Sequence, residues 1–244
     1  MKTYNIDGVK IPVDITWERI AISLSGGADS ALLAYLICSL IPDTQTMEVH
    51  IISHTRMWKT RPWQQWDSLY VYRWLVNRFP NIRFERHTNF IAPDIEYGTT
   101  GANLVDEYGK QVSGDNIQQR AFAEYVCTHE FCEAYYNAVT HNPKSINLGG
   151  MPERDIEPTE DNKHLEYMIH MDVVVSHPFR FIDKAWVLTQ YRRLSIMDLF
   201  NITRSCEGEF ADINYKSYTP GQFVPTCEQC FWCKERAWAI EQTK

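Results

Sequence analysis

Six residues, Ser25-Gly26-Gly27-Ala28-Asp29-Ser30, join an apolar run over 19–24 to a helix-like apolar run that closes before Pro42. A short buried strand passing through a glycine turn straight into a helix is the opening unit of a parallel α/β sheet. Ligands of such sheets bind at the carboxyl ends of the strands, so these six residues stand where chemistry is expected. Two glycines let several backbone N–H groups point into one concavity, and the positive end of the following helix faces the same space. Ser25 and Ser30 add hydroxyl donors for phosphate oxygens. Asp29 would repel bare phosphate, so it is assigned to a Mg²⁺ that bridges to the phosphates. The plainer reading is a capped helix start, with Asp29 or Ser30 as cap and the glycines merely turning the chain. Five specified positions directly after an apolar strand weigh against it. The loop fits neither G-x-x-x-x-G-K-[ST] nor G-x-G-x-x-G.

The rest of the chain alternates in the same way. Strands are expected at 47–53, 81–87, 145–148 and 172–175, and helices at 63–79, 116–140, 183–200 and 233–240. The first 18 residues read as a polar leader. Two irregular stretches stand out, 89–114 with four glycines and the segment MPERDIEPTEDNKH from Met151. Loops that long inside a compact domain are functional lids or disordered. About five strands alternating with helices predict an open parallel sheet in one domain, residues 1–200, with residues 201–244 as a small element packed on it.

That tail holds four of the chain's seven cysteines: Cys206, Cys227, Cys230 and Cys233. Four thiolates suit a tetrahedral structural Zn²⁺, which also stabilises a segment poor in apolar residues. The rival is an iron–sulfur cluster. Bacterial ferredoxins also use C-x2-C-x2-C, but with a further Cys after three intervening residues and then Pro. Position 237 here is Ala, which favours zinc with Cys206 as fourth ligand. Cys38, Cys127 and Cys132 lie in apolar patterns and read as core.

Charge and hydropathy exclude other classes. A net charge of −7 argues against nucleic acid as a stable partner. No apolar run approaches the ~20 residues of a membrane span, and the N-terminal residues lack the form of a signal peptide, so a cytoplasmic location is expected.

The loop resembles the SGGxDS signature of the PP-loop ATP pyrophosphatase superfamily, which includes GMP, NAD and argininosuccinate synthetases and tRNA-modifying thiolases and ligases. The resemblance implies an adenine-nucleotide α-hydrolase-like fold, with ATP and Mg²⁺ as cofactors. It also implies a substrate oxygen attacking the α-phosphorus, release of pyrophosphate, and displacement of AMP by a nucleophile. Further residues are similar to the 7-cyano-7-deazaguanine synthase family. In order they are Pro178-Phe179, Lys184 opening a helix, Thr203-x-Ser205-Cys206, and the three tail cysteines followed by Arg236. Gly150-x-Pro152-Glu153 looks like a variant of that family's S-G-Y-P-D segment. The chain departs from the family pattern at Met151 and Glu153, at His54-Thr55-Arg56 after the second strand, and at 116–120 before the long helix.

What this resemblance implies is a carbon–nitrogen ligase acting on a deazapurine-like small molecule, with ammonia from solution or a partner. A thiolase or ligase acting on tRNA or a nucleobase, and a non-catalytic nucleotide-binding zinc protein, are the alternatives. A homodimer is compatible with all three. Among single residues, Asp29 and Lys184 are the catalytic candidates, Lys184 as a cation offsetting phosphate charge. Ser25, Gly26, Gly27, Asp29 and Ser30 are expected to hold the phosphates. Gly150, Glu153 and Arg154 are the candidates for substrate contact. His54, Arg56 and Arg61 lie near the site but read as structural or solvated residues.

Overall fold

The computed structural model describes residues 2–57, 59–92, 114–143, 148, 165–168, 173–213 and 226–244. Its centre is a sheet built from β3 (Arg19–Ser23), β4 (Glu48–Arg56), β5 (Arg83–Ile91), β6 (Ala134–Tyr136), β7 (Leu165–Met168) and β8 (Val173–Ser176), in spatial order β5-β4-β3-β6-β8-β7. Five strands run parallel, and only the edge strand β7 is antiparallel, to β8. The chain lays down β3, β4 and β5 in one direction, then returns to place β6 on the other side of β3. The carboxyl ends of β3 and β6 therefore flank a topological switch point, where open α/β sheets bind ligands.

Helices cover both faces. On one side α1 (Ala28–Leu40) and α4 (Lys184–Arg193) bury Leu32, Leu33, Ile37, Val187 and Tyr191 against Ile20, Ile22, Val49 and Ile51. On the other, α3 (Gly114–His129) packs Ala123, Val126 and Cys127 over Ala21, Ile52 and Tyr135. The period of two along each strand separates these sets, since neighbouring residues of β3 and β4 face opposite layers. Helix α2 (Gln64–Arg78) contributes Val71 and Leu75 to the first core, and α6 (Phe231–Gln242) contributes Trp238 and Ala239. Among the described residues, no helix is long and apolar enough to cross a membrane.

The parallel sheet flanked by helices is the expected fold class, and several details differ from the sequence reading. The leader is a hairpin, β1 (Lys2–Ile6) with β2 (Val9–Val13), whose Val9, Ile11 and Val13 join the core. The helix expected over 116–140 stops at His129. Phe131 turns the chain with φ of 53°, Cys132 N–H bonds back to the Cys127 carbonyl, and β6 follows. A carboxylate oxygen of Glu133 accepts the N–H groups of Glu18 and Arg19 at 2.8 and 2.9 Å, which ties β6 beside β3. The helix expected over 183–200 is broken at Ser195, φ 56°, into α4 and α5 (Met197–Ile202). The strand expected at 145–148 lies outside the described residues except for Leu148, which is in no strand. The two long loops also fall outside them, over 93–113 and 149–164.

Candidate active site and cysteine element

The phosphate loop is ordered by its own short polar groups. Ser25 N–H bonds Ser30 Oγ at 3.2 Å, the two Oγ atoms are 3.1 Å apart, and Gly27 N–H bonds Ser25 Oγ at 3.2 Å. Gly26 has φ of 82°, and a Cβ there would fall 2.6 Å from Asp67 Cβ and from the Ser68 nitrogen. Only glycine satisfies both the turn and this close approach. Gly27 is the N-cap of α1, and no side chain caps that helix. A helix start leaves backbone N–H groups without intrahelical partners, and without a side-chain cap they remain available to an anion.

Asp29 lies in the first turn of α1 and meets Lys184 in a direct ion pair through Oδ2. Asp183 caps α4 by accepting the N–H groups of Ala185 and Trp186 at 3.0 and 3.1 Å, which fixes Lys184 as the first helical residue. The lysine is buried at 3% exposure and has Glu235 of α6 at 3.6 Å on its other side. It is thus no solvated lysine: charge pairing on both flanks offsets its desolvation. Asp29 Oδ1 is buried with no hydrogen-bond partner among the described residues, while Thr140 Oγ1 reaches Oδ2 at 3.4 Å. An orphaned carboxylate oxygen beside an uncapped helix start fits a hard cation carrying phosphate oxygens. The donor set therefore fits ATP with Mg²⁺.

A buried pair beneath the loop escaped the sequence reading. Asp67 of α2 abuts Gly26 and is 1% exposed, with neither carboxylate oxygen hydrogen-bonded and Arg204 Nη1 3.8 Å away. Burial raises its carboxyl from 3.8 to about 7, against the pull of the Arg204 charge. Arg204 in turn donates to the Cys206 carbonyl at 2.9 Å, and its backbone N–H bonds the Gly26 carbonyl at 3.0 Å. The phosphate loop and the cysteine element are thus joined through Asp67 and Arg204. An acidic residue on a polar-looking helix start carries no sequence signal for such a role.

Cys206, Cys227, Cys230 and Cys233 converge, with all four sulfurs within 4.8 Å of one another and Cys227 Sγ 3.8 Å from Cys233 Sγ. Four sulfurs at about 2.3 Å from one tetrahedral ion stand about 3.8 Å apart, so the spacing fits a single Zn²⁺-sized ion. A Cβ on Gly208 would sit 2.5 Å from Cys227 Sγ, so this glycine lets the chain pass close to the sulfurs. Nothing in its sequence neighbourhood marks it. Arg236 acts as a brace: it donates to Thr203 Oγ1 at 2.9 Å and the Phe200 carbonyl at 3.0 Å and lies over the Phe200 ring. Burial lowers its guanidinium to about 10. A cleft of about 200 Å³ between this element and α6 is lined by Thr203, Ser205, Cys206, Trp232, Cys233 and Arg236.

Of the remaining candidates, Arg56 lies 3.3 Å from Glu207 and His54 packs edge-on to Phe122. Gly150, Glu153 and Arg154 lie outside the described residues, as does the side chain of Arg61. No protein-family model matches the chain, and no curated protein does. Among solved structures the chain is similar to the U34-tRNA thiolase NcsA from Methanococcus maripaludis with its [4Fe-4S] cluster. That match has TM-score 0.44 and 16% identity over 95% of this chain and 67% of that one. Phosphoadenylyl-sulfate reductase from Candida auris, a phosphate complex, matches at TM-score 0.37 and 11% identity, over 74% of this chain and 75% of the other. The NH3-dependent NAD synthetase from Campylobacter jejuni subsp. jejuni, in complex with the nitrate ion, matches at TM-score 0.41 and 15% identity, over 76% and 67%.

Proposed function

We propose that the chain is an ATP-dependent carbon–nitrogen ligase of the 7-cyano-7-deazaguanine synthase kind, working through an adenylylated carboxylate. The observation that carries the reading is the loop at the switch point. There a helix start without a side-chain cap, the two loop serines and the orphaned Asp29 Oδ1 converge. In this reading Ser25, Gly26, Gly27 and Ser30 would hold the pyrophosphate half of ATP, and Asp29 would hold a Mg²⁺ that would neutralise phosphate charge. Lys184 orients Asp29 and supplies positive charge that offsets the negative charge building up on the leaving pyrophosphate. A carboxylate oxygen of a deazapurine-type substrate attacks the α-phosphorus and pyrophosphate leaves. Ammonia then attacks the acyl carbon, loses a proton and displaces AMP to give the amide. The amide oxygen attacks the α-phosphorus of a second ATP and releases a second pyrophosphate, and loss of AMP and the two amide protons leaves the nitrile. Gly150, Glu153 and Arg154 are proposed to meet the substrate.

The four cysteines are proposed to hold one structural Zn²⁺, since an iron–sulfur cluster would spread its thiolates over separate irons, wider than a single-ion edge. Residues 201–244 then form a zinc-bound element on the 1–200 domain, in a cytoplasmic enzyme. The test is product analysis with ATP, Mg²⁺, ammonia and a panel of carboxylated purines and deazapurines. AMP and pyrophosphate, formed only with a deazapurine carboxylate, are expected. ADP and phosphate would reject adenylylation, and AMP formed only with a sulfur donor and tRNA would replace the ligase with a thiolase. Nucleotide binding without cleavage across the panel would make the chain a non-catalytic binder.

A further inference from the structure

A second cluster of metal-ligating side chains lies on the α3 face of the sheet, on residues that take no part in the phosphate loop or the cysteine element. His50 of β4 and His87 of β5 sit on the same face because the parallel register pairs His50 with Glu85 and Ile52 with His87. The two histidines are thus diagonal neighbours, a fixed relation between adjacent strands. His50 Nδ1 is 2.9 Å from His87 Nε2. Glu130 enters from the end of α3, where the Phe131 turn and the bond from Cys132 N–H to the Cys127 carbonyl fix its backbone. One ligand atom from each of His50, His87 and Glu130 lies within 4.8 Å of the other two.

We infer that His50, His87 and Glu130 form a site for one divalent transition-metal ion, of the Zn²⁺ class. Two imidazole nitrogens and one carboxylate oxygen are a donor set that zinc takes with a water in the fourth position. Nitrogens 2.9 Å apart subtend about 90° at an ion 2.0–2.1 Å from each, and opening them by about 0.4 Å gives the tetrahedral angle. The carboxylate of Glu48 lies 3.3 Å from His50 Nε2, on the ring nitrogen that does not face His87. A carboxylate there fixes the ring and raises the basicity of the nitrogen turned toward the metal. Glu48 is itself held by Arg83 at 3.4 Å and Arg19 at 3.9 Å. The carboxyl end of α3 adds the negative end of a helix dipole beside the cation. His50 is fully buried, whereas His87 and Glu130 are half-buried, which leaves a path for an ion.

The experiment titrates the full chain, stripped of metal and then rebuilt, with Co²⁺, which reports on its ligands by absorption. About two Co²⁺ per chain are expected: one with sulfur-to-cobalt charge transfer, and one with weaker d–d bands and no sulfur band. His87→Ala and Glu130→Gln should each weaken the sulfur-free site at least about tenfold and leave the charge-transfer band unchanged. Glu130→Gln alters a half-buried turn position, so it serves if His87→Ala does not fold. A wild-type chain that binds only sulfur-ligated Co²⁺ would overturn the site. So would a folded variant of either kind that keeps the sulfur-free ion at wild-type affinity. Neither result depends on what the phosphate loop does or on which metal the cysteines prefer.

Discussion

At residues 25–30 the binding groups are neighbours in the chain and mostly backbone, held between a buried strand and a buried helix. In the cysteine element they are four side chains from residues 206 to 233, gathered around a point where the chain has few apolar contacts of its own: Cys206, Ile213 and Cys227 form a separate small cluster. The loop therefore has its shape without a ligand, and its residues are free to serve one. In the proposed reading the element takes part of its shape from ligand bonds, so its cysteines are committed to structure. Changes in the loop should cost activity, and changes in the element should cost stability. Gly26, Asp67, Arg204 and Cys206 form the seam where the two meet.

The largest effect is expected at Asp29. Asp29→Asn should lower AMP formation at least about a thousandfold, roughly 4 kcal/mol on the barrier, while the urea midpoint barely moves. Turnover near the wild-type rate would remove Asp29 from the chemistry and break the comparison.

Asp67→Asn tests the seam through pH. The folded carboxyl is raised to about 7 from an unfolded value of 3.8, so between those values the folded state holds a proton that the unfolded state has lost. The wild type should therefore lose stability as pH rises from about 4 to about 7 and level off above, whereas the Asn variant lacks that slope. Its relative gain should reach at most about 4 kcal/mol near pH 8, read from urea unfolding across pH. Parallel pH profiles would show Asp67 ionised in the folded chain.

Gly26→Ala meets a positive φ and two atoms at 2.6 Å, one of them backbone. A loss of roughly 3 kcal/mol is expected, with nucleotide affinity falling as well, so this one loop position should behave like the element.

Cys230→Ser should be the mildest, about 2 kcal/mol or some 4–8 °C in Tm, with the bound metal weakened and nucleotide affinity kept. The tail looked in sequence too poor in apolar residues to order itself, but Phe231, Trp238 and Ala239 of α6 are buried, the last two in the main core. They should hold the helix when the metal site weakens. Unfolding of the whole chain in this variant would show that the metal, and not that packing, anchors α6.

The sequence by itself determined the parts whose cause is local. An apolar strand, a glycine turn and a helix start fall within 22 residues, 19–40, and the cysteine spacing alone marks the four sulfurs that converge in the structure. Both follow from short-range geometry, so both are legible without a fold. Tertiary structure decided what depends on contacts far apart in the chain. The three residues of β6 are too few to carry a strand period, and they form a strand because Glu133 and the register with β3 hold them there. Lys184 is a catalytic candidate in the sequence by resemblance alone, and its burial appears only when α6 places Glu235 beside it, 51 positions further along the chain. Asp67, Gly208 and the His50–His87–Glu130 cluster acquire meaning only from neighbours on other elements. Burial, charge pairing and ligand convergence are properties of space, and spacing along the chain reports them only where the chain itself stays local.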